Sequence, residues 1–209
     1  GGAGVGGIRG GGRIDVDMLK IVTGFFQAFI AVWTNHTFLV CLAAWAIAQA
    51  IKACRPGVIS AYPITPQTHI VEYLAEMVAN GELDAEYIQV DSEFSAASVI
   101  AGASATGVRA YTASASQGIL LMTEVIYYLA GARLPVVLTG ANRQVSAPIG
   151  LQPDHQDSVS LRDAGLIELY VESAQEAYDA HLQAFKIAED HQVLLPTMVC
   201  VDGYVLTHV

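Results

Sequence analysis

From residue 57 onward the chain alternates short apolar, often β-branched runs with helix-length stretches, and few folds accommodate that rhythm. Runs at 58–62, 87–90, 108–112, 135–139, 166–171 and 197–201 predict strands, bounded by Gly, Pro, Asn and Asp. The stretches between them predict helices from Pro66 to about Gly81, from Glu93 to about Gly107, over 117–132, and from Ala174 to Asp190. The segment from Gly140 to Gly165 reads as a long loop. Strands joined through helices pair in parallel, because a tight hairpin cannot return the chain in the same direction. The expected fold is therefore α/β: a three-layer, open, mainly parallel sheet with helices on both faces. A composition of 53% hydrophobic and 14% charged residues suits a sheet covered on both sides, or surfaces made for a partner.

The first part of the chain is different. Residues 1–13 are glycine-rich, and Gly2, Gly4 and Gly7 match a dinucleotide fingerprint in spelling only. That fingerprint needs a strand before it and a helix after it, and here the chain has only begun. Residues 19–51 are apolar over about a membrane's thickness, but Thr34-Asn35-His36-Thr37 divides them, which argues against a membrane anchor. A helix is expected from Leu42 to Lys52, stopping before Arg55-Pro56-Gly57. We divide the chain into a low-complexity and apolar leader, residues 1–42, and one domain, residues 43–209. The glycine-rich residues 1–13 read as a flexible or artefactual leader.

The net charge of −10 leaves no basic stripe for phosphates and excludes a nucleic-acid partner. Cys41, Cys54 and Cys200 have no metal-ligand spacing and no disulfide pattern, so buried thiols in a reducing cytoplasm are expected.

In parallel sheets ligands bind beyond the carboxyl ends of the strands. That rule selects Thr65, Glu93, the stretch from Ser114 to Gln117, and the stretch from Gly140 to Arg143. In "AYPITPQT", Pro63 and Pro66 stiffen the turn around Thr65. Thr65 then either caps a helix opening at Pro66 or turns its hydroxyl toward an anion. Glu93 opens a helix of small uncharged residues, "FSAASVIAGASATG", which must pack closely and so bury the acid at least in part. It serves either the helix dipole or chemistry. "TASASQG" lacks the glycine two residues before a serine that a hydrolase elbow requires. Arg143, in "TGANR", is the cation nearest these strand ends, as a surface residue or as a clamp on a carboxylate. Asp154-His155-Gln156-Asp157 reads as a loop-ordering network rather than a metal site, and His181, His191 and His208 read as solvated.

Taken together, "AYPITPQT", the run from "DSEFSAAS" through "YTASASQGILLM" to "TGANR", "PDHQD" and "VCVDGYVLTH" resemble one family. It is the thiamine-diphosphate-dependent 2-oxoacid:ferredoxin oxidoreductases, and within it the pyrimidine-binding domain of the α subunit of the pyruvate enzymes. The resemblance runs from residue 43 to 209. It implies that Glu93 bonds the N1′ nitrogen of the cofactor's aminopyrimidine, favouring the imino form that takes the thiazolium C2 proton. It implies that Thr65 and Arg143 bind the oxoacid, and that Pro63, Ile64, Ser116 and Gln117 line the cofactor. Thiamine diphosphate would be shared with a β subunit that carries Mg²⁺ and the diphosphate. The [4Fe-4S] clusters would lie on partner subunits, with γ and δ chains, ferredoxin and coenzyme A completing the reaction. The chain would then be a cytoplasmic fragment, inactive alone. A branched-chain or phenylglyoxylate-type substrate, or a purely assembling role, stands as the alternative.

Overall fold

The computed structural model describes residues 42–203. Expectations placed on residues 1–41, on Cys41 and on His208 lie outside them. Six strands form one sheet: β1 (Val58–Ala61), β2 (Glu86–Gln89), β3 (Ala110–Ser114), β4 (Val137–Asn142), β5 (Ile167–Val171) and β6 (Thr197–Asp202). Their order is β2-β1-β3-β4-β6-β5 and every pairing is parallel. The helices are α1 (residues 42–54), α2 (Thr68–Ala79), α3 (Glu93–Ala105), α4 (Ser116–Leu121), α5 (Thr123–Gly131), α6 (Gln156–Val159) and α7 (Ala174–Ala188).

Successive residues of a strand face opposite sides of the sheet, and that period divides the core in two. Val137, Val199 and Val201 meet α1, α2 and α7, whereas Leu138, Met198 and Cys200 meet α3, α4 and α5. The result is the three-layer α/β sandwich expected. Connections after β1 and after β3 leave in opposite directions along the sheet, so a crevice opens between those two strands at their carboxyl ends. At the opposite end, Arg109 ties the layers together. Its guanidinium donates to both oxygens of Glu189 and to the carbonyl of Cys54, and it lies 5.3 Å from the ring centre of Phe185.

Several boundaries differ from the sequence reading. Helix α2 begins at Thr68 rather than Pro66, with Gln67 in the capping position, so Thr65 does not cap it. Met77 faces the core there, while Val78 is only partly buried. The helix expected over 117–132 is two helices meeting at a buried Met122, and Thr123 Oγ1 donates to the freed carbonyl of Leu120 at 2.6 Å. Strand β4 runs on to Asn142, and the long loop holds the short helix α6.

His181 corrects a prediction. It is fully buried, not solvated. Its Nδ1–H donates to the Ala177 carbonyl at 2.5 Å, which leaves Nε2 to accept from Thr139 at 2.6 Å, and Tyr111 in turn donates to Thr139 at 2.6 Å. This chain satisfies a neutral imidazole completely, and burial lowers the His181 pKa from 6.5 to about 4. The two hydroxyls of this chain come from strands β3 and β4, so nothing local to the helix announced them.

Cys54 and Cys200 are buried and unpaired, and burial raises both thiols, Cys54 to about 11. Among the described residues no helix is long and apolar enough to cross a membrane.

Candidate active site

Four strand ends build the site. After β1 the chain turns through Tyr62 to Gln67, with a cis peptide between Thr65 and Pro66. The turn is closed from within: the Gln67 amide donates to Ile64 at 2.9 Å, and its buried side chain donates to the Tyr62 carbonyl at 2.8 Å. Pro66 is pressed by the end of β6, where a β-carbon on Gly203 would come within 2.6 Å of Pro66 Cγ and 2.7 Å of the Asn142 carbonyl. Thr65 is left exposed at the tip, with Pro63 exposed and Ile64 half-buried beside it.

Arg143 follows β4. One arm of its guanidinium donates to the Thr65 carbonyl at 2.7 Å and the other to Gln117 Oε1 at 2.9 Å. Both acceptors are neutral. The ion pairs among the described residues are Lys52–Glu82, His69–Glu72, Arg109–Glu189 and Arg162–Asp163, so the Arg143 charge has no anion of its own. Its Nε is buried without a partner.

After β3, Ser116 enters α4 with φ of 47°, the left-handed region that costs a non-glycine residue energy. It is fully buried, and its hydroxyl proton serves two acceptors, Gln117 Oε1 at 2.6 Å and the Gln144 carbonyl at 2.7 Å. A serine so enclosed is no hydrolase nucleophile. Asp157 ties this corner together, accepting from the amides of Ser116, Arg143 and Ser158 and from the side chain of Asn142. The loop-ordering role expected of 154–157 is what these bonds describe. Asp154 caps the turn by accepting from the Gln156 amide at 2.7 Å, and His155 stacks edge-on against Tyr170.

Glu93 follows β2 as the first residue of α3, behind Ser92, whose hydroxyl accepts from the Ser95 amide at 3.1 Å. The acid is 7% exposed. Its carboxylate reaches across to α4, where a β-carbon on Gly118 would stand 2.6 Å from Oε1, 2.7 Å from Cγ, and 2.4 Å from Ser114 Oγ. Among the described residues no group hydrogen-bonds that carboxylate, and the buried hydroxyls of Thr112 and Ser114 also lack partners.

The fold thus joins Thr65, Ser116, Gln117 and Arg143 through one run of hydrogen bonds, and sets Glu93 against Gly118, one residue past Gln117. The strand-end rule took in Asn142 within the stretch from Gly140 to Arg143 but gave it no role, and the reach of Asp157 was missed. Asn142 stands one residue before Arg143 at the end of β4, and that strand-end position was the available signal.

Residues 49–209 match the family model described as pyruvate flavodoxin/ferredoxin oxidoreductase, thiamine diphosphate-binding. The chain is 56% identical over 166 residues to pyruvate synthase subunit PorA of Methanosarcina barkeri, covering 79% of this chain and 41% of that one. It is 48% identical to ketoisovalerate oxidoreductase subunit VorA of Pyrococcus abyssi, covering 78% and 41%. It therefore spans about two fifths of the length of the curated relatives it matches, 41% in both of these. A structure of 2-oxoglutarate:ferredoxin oxidoreductase from Magnetococcus marinus, with 2-oxoglutarate, coenzyme A and succinyl-CoA bound, superposes with a TM-score of 0.70 at 22% identity. That match covers 78% of this chain and 29% of the other, and it shows the fold. With its six-stranded parallel sheet and a family match over residues 49–209, the chain belongs to the thiamine-diphosphate-binding pyruvate flavodoxin/ferredoxin oxidoreductase family.

Proposed function

We propose that this chain supplies the aminopyrimidine-binding and oxoacid-binding half of a pyruvate:ferredoxin oxidoreductase. As part of its α subunit it would serve the oxidative decarboxylation of pyruvate to acyl-CoA, with electrons passed to ferredoxin. The observation that carries this reading is Glu93, buried, unpartnered and laid against a glycine. A carboxylate this nearly buried, with no donor among the described residues, suits a ligand that brings a donor of its own. A nitrogen heterocycle with a ring nitrogen facing Glu93 would meet that need.

Bound thiamine diphosphate supplies the nucleophilic carbon through which a 2-oxoacid loses carbon dioxide. The chain's residues prepare both reactants. Glu93 holds a proton at the ring nitrogen it faces. Arg143, its charge shared only with neutral acceptors, pairs with the oxoacid's carboxylate. Thr65, whose carbonyl is fixed by Arg143, turns an exposed hydroxyl to a substrate oxygen. Ser116 and Gln117 hold the floor, and Pro63 and Ile64 line the approach.

The diphosphate and Mg²⁺ belong in this reading to a β subunit, and the [4Fe-4S] clusters to ferredoxin-like γ and δ subunits. Buried, unpaired Cys54 and Cys200 support a reducing cytoplasm. A branched-chain oxoacid is the second reading, favoured by the relative named for ketoisovalerate and by exposed Ile149 and Leu151 on the loop beyond Arg143.

The test is turnover of the reconstituted complex with pyruvate, 2-oxoisovalerate and phenylglyoxylate, ferredoxin accepting electrons. Pyruvate should show the highest kcat/KM, and a higher value for either competitor reassigns the substrate. Turnover that survives loss of the Thr65 and Arg143 side chains would make the chain an assembly module instead.

A further inference from the structure

We propose that Asp157 is a positioning residue for the oxoacid, acting through Arg143; the inference rests on the substrate role given to Arg143 above. Asp157 is fully buried, and its carboxylate is met entirely by N–H donors. Oδ1 accepts from Asn142 Nδ2 at 2.7 Å and from the Ser158 amide at 2.8 Å. Oδ2 accepts from the Ser116 amide at 2.8 Å and from the Arg143 amide at 3.1 Å.

The Oδ2 pair closes a ring. From Oδ2 the path runs through the Ser116 amide to Gln117, from Gln117 Oε1 to Arg143 Nη2, and from the Arg143 amide back to Oδ2. One oxygen therefore fixes both ends of the Gln117–Arg143 hydrogen bond. It also holds Ser116 at its positive φ of 47°, a conformation that persists only where its surroundings enforce it. Asp157 grips the Arg143 backbone and leaves the guanidinium to the neutral oxygens of Thr65 and Gln117. A carboxylate on the guanidinium would quench the charge; one on the backbone aims it.

Both oxygens of Asp157 are acceptors, each for two N–H groups. An asparagine in this place would turn its NH₂ against two donors in either orientation. Asp157→Asn is therefore a near-isosteric way to loosen the grip.

The experiment is a double-mutant cycle on the KM for pyruvate in the reconstituted complex, with Asp157→Asn, Arg143→Ala and the pair together. Asp157→Asn alone should raise KM by about tenfold, the loss of one charge-assisted hydrogen bond. The double variant should be no worse than Arg143→Ala, because a positioning residue has nothing left to position. If Arg143→Ala raises KM and the two losses multiply, Asp157 acts elsewhere and this inference falls alone. If Arg143→Ala leaves KM unchanged, the substrate role of Arg143 falls and takes the inference with it. Should Asp157→Asn fail to assemble, Asn142→Ser enters the same cycle, removing a donor from Oδ1 and sparing both donors to Oδ2. Its KM rise should likewise vanish in the Arg143→Ala background, and a rise that persists there overturns the proposal.

Discussion

The carboxylate of Glu93 rests on the α-carbon of Gly118, with Oε1 2.6 Å from where a β-carbon would stand. Ser114 Oγ is 2.4 Å from the same point. Any side chain at position 118 would have to move the acid, the hydroxyl, or α4 itself.

Gly118→Ala should therefore damage the site out of proportion to its size. Overpacking of this kind costs about 1–3 kcal/mol. Here it falls on the group that would face the cofactor's pyrimidine, so thiamine diphosphate should bind roughly tenfold or more weakly to the reconstituted complex. Titration of the complex by calorimetry checks it; an unchanged affinity would mean that the acid does not face the ring.

Arg143→Lys keeps the charge but loses the fork that reaches Thr65 and Gln117 together. The expected outcome is a KM for the oxoacid raised about tenfold with a smaller fall in kcat, because a uniform binding contact is weakened. Steady-state kinetics of the complex measure both.

His181 makes stability depend on pH. Its folded pKa of about 4 lies below the unfolded value of 6.5, so between these pH values the unfolded chain takes up a proton that the folded chain refuses. The contribution is fully present above pH 6.5 and is lost as pH falls toward 4, on the order of 3 kcal/mol in all. Denaturant titrations at pH 7 and pH 5 should show this loss in the native protein and a flatter dependence in His181→Gln. Equal slopes would contradict it.

Arg109→Lys should destabilise the fold and spare the site, since Arg109 works at the far end of the sheet from Arg143. Lysine cannot donate to Glu189 through two nitrogens and still reach the Cys54 carbonyl. A loss of about 1–2 kcal/mol is expected, because the pair is partly exposed. Chemical denaturation reads it, with the KM for the oxoacid unchanged.

How much of this was open to a reader of the sequence depends on distance along the chain. The strands and both helical faces could be read because alternation and punctuation are local signals. The burial of Glu93 could be read because the helix it opens has no charged face to show to water. The start of α2 was misjudged because Pro66 is allowed both in the first turn of a helix and in the turn before it. The burial of His181 and the reach of Asp157 were hidden for a shared reason. Thr139 lies 42 residues before His181, and Ser116 lies 41 before Asp157. A polar residue whose partner stands on another strand looks like any solvated polar residue until the sheet is assembled.

The central claim is that Glu93 acts on the pyrimidine ring. The direct measurement is the rate of exchange of the cofactor's C2 proton for deuterium in the reconstituted complex, native against Glu93→Gln. The account predicts a fall of about 10²- to 10⁴-fold in the variant, the range of a positioned acid–base group. An exchange rate equal to that of the native complex, with thiamine diphosphate still bound, would contradict it.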